Sequence, residues 1–124
     1  MDKQNCVVYI GEKFTIEWYF DYEGKSQAYE YFLNTSDSQK RRFFVLVKRM
    51  AEFGKISDIT KFRNEGNEIY AFKPKPDRYL SFFIKGKKII ITNGFTKRVD
   101  KLPKNEKDKA IKFRSDYISR FKED

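Results

Sequence analysis

Asp77 to Arg98, DRYLSFFIKGKKIIITNGFTKR, is the stretch whose reading decides the fold. Leu80, Phe82 and Ile84 point one way and Tyr79, Ser81 and Phe83 the other, the period of two that a strand requires. Lys85-Gly86-Lys87 predicts a chain reversal, because glycine supplies the positive φ that hairpin turns demand. Ile89, Ile90 and Ile91 form an apolar run, the pattern of a central strand, and Asn93-Gly94 is expected to end it. In an antiparallel pair the start of one strand lies beside the end of the next. Arg78 opens this hairpin and Lys97 and Arg98 leave it, so the three cations are expected at one end of the sheet.

Outward from the hairpin, the pattern sets the other elements. Ile69–Lys73 reads as a preceding strand, stopped by Pro74 and Pro76, which cannot donate to a ladder. Residues 55–67 read as irregular chain with a turn at Glu65-Gly66-Asn67. Phe14, Ile16, Trp18 and Phe20 alternate with Thr15, Glu17 and Tyr19, a first strand with one buried face. A short helix with Ala28, Tyr29, Phe32 and Leu33 on one side follows. A second helix runs from about Ser38 to Phe53, its apolar stripe made by Phe43, Leu46, Val47, Met50 and Phe53, with Gly54 past its end. Leu102-Pro103 precedes a last helix with Asn105 as N-cap and Ala110, Phe113, Tyr117 and Phe121 as its buried stripe, helped by Ile111 and Ile118.

The expected fold class is α+β. A small antiparallel-rich sheet, one N-terminal strand plus a three-strand meander, carries two N-terminal helices and one C-terminal helix. Two helices separate the first strand from the rest, which allows it to pair in parallel with a later one. No repeat or linker interrupts the 124 residues, so residues 1–124 are expected to form one domain.

Composition narrows the chemistry. There is no His and a single Cys, Cys6, which removes the usual metal ligands, the usual general base and any internal disulfide. No metal and no cofactor is expected. No apolar run approaches the roughly 18 residues of a membrane span, and the start, MDKQNCVVYIGEKF, lacks the pattern of a signal peptide. The expectation is a cytoplasmic protein that does not engage a membrane. Residues 1–70 carry 11 Lys/Arg and 11 Asp/Glu, whereas residues 71–124 carry 16 and 7, so the whole net charge of +9 sits in the second part. A surplus so confined points to a polyanionic partner. Lys, Arg and Tyr on a sheet can bind phosphate and stabilise the charge that builds on a phosphorane.

The ordered elements of IYAFKPKPDRYLSFFIKGKKIIITNGFTKRVDKLPKNEKDKAIKFRSDY, residues 69–117, resemble the RelE/HigB superfamily of toxins from bacterial toxin–antitoxin pairs, in its phage-derived HigB-like branch. The resemblance extends over about residues 14–122. It implies a RelE-like fold and a ribosome-dependent endoribonuclease that cuts mRNA through attack of a 2′-hydroxyl. It also implies two partners, a cognate antitoxin and mRNA on the ribosome. Arg78 falls on the family's strand-opening arginine, Lys73 where an arginine usually ends the preceding strand, and Lys97 and Arg98 on the basic pair of a Gly-Phe element. These four are the candidate catalytic residues; Lys61, Arg63 and Lys101 are the candidate RNA-binding residues beside them. Asn93 stands where many members have His. Two other readings stay open: a ParE-like poison of DNA gyrase, and a non-catalytic, prophage-derived module that binds nucleic acid or protein.

Overall fold

The structure, a computed structural model, describes residues 6–121. Residues 1–5 and 122–124, which the one-domain expectation includes, lie outside the described residues. In chain order the elements are β1 (Val7–Ile10), β2 (Thr15–Trp18), α1 (Gln27–Leu33), α2 (Asp37–Phe53), β3 (Phe62–Asn64), β4 (Tyr70–Phe72), β5 (Asp77–Ile84), β6 (Lys88–Thr96) and α3 (Lys104–Arg120). The strands form one sheet in the order β1-β2-β6-β5-β4-β3. Every neighbouring pair is antiparallel except β2 and β6, which run parallel. No helix among the described residues is long and apolar enough to cross a membrane.

The α+β class and the order of the expected elements are found, with two short strands added at the sheet edges. β3 lies inside the segment expected to be irregular. It has three residues, two of them exposed, so it shows no alternation; Phe62 joins it to the sheet by packing on Phe72, centroids 4.9 Å apart. β1 is four residues long and bulges between Val7 and Tyr9, which hides its period.

The sheet separates two cores. On one face Ile16, Trp18, Tyr79, Ile89 and Ile91 meet Phe32 of α1 and Phe43, Leu46, Val47 and Met50 of α2; Trp18 stacks on Phe43 at 5.5 Å and 6°. On the other face Tyr19, Ile69, Leu80, Phe82 and Ile90 meet Ala110 of α3. β2 is therefore covered on both faces, not one. Its Glu17 is buried and carries an ion pair to Lys88 at 3.4 Å, and Tyr19 stacks on Phe113 at 4.7 Å.

Local chemistry sets the helix ends. Ser36 and Gln39 form a reciprocal capping box on α2, and Gly54 closes it at φ 75°, a conformation that costs a residue without Cβ little. Phe53, expected in the buried stripe, is 74% exposed; the chain reverses just past it and Ile56 is buried instead. α3 starts one residue before the expected cap. Pro103 is its N-cap, with its carbonyl accepting from Glu106 N–H and Lys107 N–H, and no side chain caps it. Leu33, Ile111, Ile118 and Phe121, expected on buried stripes, are substantially exposed. α3 touches the sheet mainly at β5 and β6, so side chains on its flanks reach past the covered area.

Candidate functional site

A cleft of about 420 Å³ opens between the start of β5, the end of β6 and the N-terminus of α3. Three local features build it. β5 and β6 pair Asp77 with Thr96 and Arg78 with Phe95. Further along, Leu80 pairs with Asn93 and Ser81 with Ile91, so Thr92 is an extra residue in the ladder. Such a bulge shifts the alternation of the residues beyond it. Asn93 and Phe95 consequently face α3, while Gly94 and Thr96 face α1. Finally, β6 runs through Asn93-Gly94, where the sequence predicts its end. Gly94 is a packing glycine and not a turn glycine: a Cβ there would lie 2.9 Å from ring carbons of Tyr31 and Tyr79.

Arg78, Phe95 and Lys97 line the sheet side of the cleft, with Lys73 from the residue after β4. Arg98, Val99, Lys101 and Leu102 line it from the connecting loop, Pro103, Lys104 and Lys107 from α3. Arg63 and Glu65 complete it, together with Asp100. Eight basic side chains thus face two carboxylates, a local excess of six positive charges. Enclosed walls of one sign focus the potential and concentrate an anionic ligand.

The cations are not equivalent. Arg78 is half-buried, makes no ion pair among the described residues, and its Nη1 is buried without a hydrogen-bond partner. Asp77 does not serve it, because strand alternation sends that carboxylate to the opposite face. Burial pulls Arg78 below its ordinary pKa, with the charges of Glu65 and Asp100 opposing. Lys73 is 8% exposed, and its Nζ donates to the Ile59 carbonyl at 3.2 Å. Burial first, then the charges of Arg78, Arg63 and Lys97, push it below the usual lysine range, while Glu65 pulls the other way. Lys97 is held through its N–H to Pro76 O at 2.8 Å and its Nζ to Asp100 at 3.0 Å. That contact and the charges of Lys97 and Arg78 hold the Asp100 carboxyl below its ordinary pKa. An unpaired guanidinium beside a crowded amine is a receptor for an anion with several oxygens.

All four candidate catalytic residues, Lys73, Arg78, Lys97 and Arg98, line this cleft, as do Arg63 and Lys101. Lys61 does not; it is exposed on the chain leading into β3. Lys104 and Lys107 line it too and were missed, although their place just past Leu102-Pro103 was a usable signal. Tyr79 offers no stacking surface, since it is fully buried against Phe43 at 4.5 Å. Tyr70 stacks on Phe62 at 5.6 Å, and Tyr117 packs on Phe82. Asn93 is buried outside the cleft lining and donates to Glu106 Oε1 at 3.0 Å, tying the β6 bulge to α3. Among the described residues no three His, Cys, Asp or Glu side chains gather as a metal site.

A small α+β protein with a cationic cleft at one end of its sheet is the class that fold and site define. Residues 30–115, more than two thirds of the chain, match the family described as phage derived protein Gp49-like (DUF891). The chain belongs to this family, which is associated with toxin–antitoxin modules. No curated protein matches the sequence.

Proposed function

We propose that this protein is the toxin of a toxin–antitoxin pair, and that it acts as a RelE/HigB-type, ribosome-dependent mRNA endoribonuclease in the cytoplasm. The observation that carries the reading is the half-buried Arg78 guanidinium, unpaired at Nη1, in a cleft of net positive charge. The family's association with toxin–antitoxin modules supports the same reading.

In this mechanism the cleft grips the scissile phosphate through Arg78, Lys97 and Arg98. The RNA 2′-oxygen attacks phosphorus in line with the 5′-oxygen. The P–O5′ bond breaks, leaving a 2′,3′-cyclic phosphate and a 5′-hydroxyl. Arg78 stabilises the negative charge that grows on the non-bridging oxygens, a contribution that enclosure strengthens. Lys73 exchanges a proton more readily than an ordinary lysine because its charged form is disfavoured. The 2′-hydroxyl gives up its proton and the 5′-oxygen gains one, so the step is balanced without an outside reactant. Phe95, Val99, Leu102 and Pro103 add apolar surface to the cleft, which suits a base beside the phosphate. The ribosome supplies the alignment that the cleft's weak bases do not. The antitoxin presents acidic groups to the same basic surface.

Primer extension on an mRNA in a translating bacterial extract tests the reading, with wild type set against Arg78→Ala. New 5′ ends within codons, made only by wild type and only during translation, are expected. A folded wild type that yields none would overturn the reading and leave gyrase poisoning or simple binding.

A further inference from the structure

β6 loses a neighbour partway along its length. Its pairing with β2 ends at Ile91, whose carbonyl accepts from Tyr19 N–H at 2.9 Å. Beyond that point one backbone edge of β6 is open. Gln27 of α1 closes it: its amide donates to Gly94 O and accepts from Gly94 N–H, both at 2.7 Å, as an adjacent strand would. One helical turn later, Tyr31 donates from its hydroxyl to Asp77 at 2.5 Å and lies 2.8 Å from the Thr96 hydroxyl. Asp77 is fully buried and also accepts from Gln39 Nε2, 3.1 Å from each carboxylate oxygen. The same Gln39 completes the α2 capping box.

Three side chains from two helices therefore hold Asp77, Gly94 and Thr96 on one face of the sheet. The residues that follow them, Arg78, Phe95 and Lys97, face the cleft on the other. A buried carboxylate costs desolvation that an apolar residue would not. Here it contributes no ion pair within 4 Å to the cleft cations among the described residues. What it fixes is where the backbone carrying Arg78 and Lys97 lies.

We propose that Asp77, gripped by Tyr31 and Gln39, and Gly94, gripped by Gln27, form a clamp that positions Arg78 and Lys97 for phosphate chemistry. Tyr31, Gln39 and Gln27 are thus positioning residues that act from the far side of the sheet. The inference rests on the endoribonuclease reading above for its kinetic test, though not for its spectroscopic one.

Tyr31→Phe is the informative variant. It keeps the ring, which packs edge-on against Tyr79 at 5.7 Å, and removes only the hydroxyl. Cleavage in translating extract should lose roughly tenfold in kcat with KM nearly unchanged, as misplaced catalytic groups produce. The Arg78 Nε–H signal in a ¹H–¹⁵N spectrum should shift and broaden, and the unfolding midpoint should fall modestly for the bond lost at the buried Asp77, with the variant still fully folded at the assay temperature. Asp77→Asn should keep more activity than Asp77→Leu, because its amide oxygen, in the place of Oδ1, can still accept from Tyr31 and Gln39. An unchanged kcat with an unchanged Arg78 signal would overturn the clamp, and so would a loss that follows the fraction unfolded. If wild type cuts no RNA, the Arg78 signal decides alone: a shift in Tyr31→Phe sustains the clamp while the endoribonuclease reading falls, and no shift overturns it.

Discussion

Tyr79 and Gly94 lie opposite each other on the β5–β6 ladder, and the tyrosine ring occupies the space that a side chain at position 94 would need. Gly94→Ala should therefore destabilise the fold by about 1–3 kcal/mol, the usual cost of overpacking a tight core. Urea unfolding of the purified variant checks this. A change within about 0.5 kcal/mol, the range of an unremarkable surface substitution, would mean that the two rings yield to the new methyl group.

The hydroxyl of the same Tyr79 is buried without a hydrogen-bond partner among the described residues. Burial, with the charges of Asp77 and Tyr31, holds it far above the ordinary tyrosine range, so it stays neutral. Tyr79→Phe should be neutral or stabilising by up to about 1 kcal/mol, since an unmade buried hydrogen bond is a cost. A clear fall in the unfolding midpoint would reveal a partner for that hydroxyl.

Arg78→Lys should keep the charge and lose the planar fork. RNA cleavage should fall on the order of 10²-fold, comparable with losing one preorganised donor to a developing oxyanion. The salt dependence of oligonucleotide binding should change little, because the number of phosphates neutralised is the same. A lysine variant with full activity would show that charge alone suffices at this position.

pH acts on Lys73. Its folded pKa is depressed below 10.5, so between the folded value and 10.5 the unfolded chain holds more protons. Stability contributed by this group therefore rises with pH across that window, while affinity for an anion falls as the amine discharges. Tyr31, pushed up to about 12 by burial and by its bond to Asp77, works in the opposite sense above pH 10, since the unfolded chain loses that proton first. The difference between wild type and Lys73→Met isolates the lysine. Wild type should gain stability relative to the variant as pH rises toward 10.5. A flat difference would show Lys73 to be an ordinary lysine.

The hairpin was legible because its alternation, its Gly86 turn (φ 86°) and its isoleucine run all agree. Antiparallel pairing alone then brings Arg78 near Lys97, and the ladder obeys it. Three things resisted. The bulge at Thr92 depends on which residue pairs with which, and a composition of Ile, Thr and Asn reads the same with or without it. Asn93-Gly94 reads as the end of the strand because glycine both breaks and packs, and only the approach of Tyr31 and Tyr79 shows that here it packs. Lys104 and Lys107 reach the cleft through the docking of α3; their place just past Leu102-Pro103 marks the helix start, but not the direction in which that start faces. Gln27, Tyr31 and Gln39 belong with these, since the polar residues of two separate helices meet Asp77 only after folding.

The parallel pairing of Thr15–Trp18 with Lys88–Ile91 joins segments more than seventy positions apart. During synthesis, the N-terminal strand leaves the ribosome long before the strand it must lie against. Contacts of such separation form late, after the closure of a long loop. A nascent chain stopped anywhere before Ile89 has no centre to its sheet, and neither Phe95 nor Lys97 has yet been added. The cationic cleft is thus assembled only after the Lys88–Thr96 strand and the helix that follows it have been made, so every shorter nascent chain lacks the cleft.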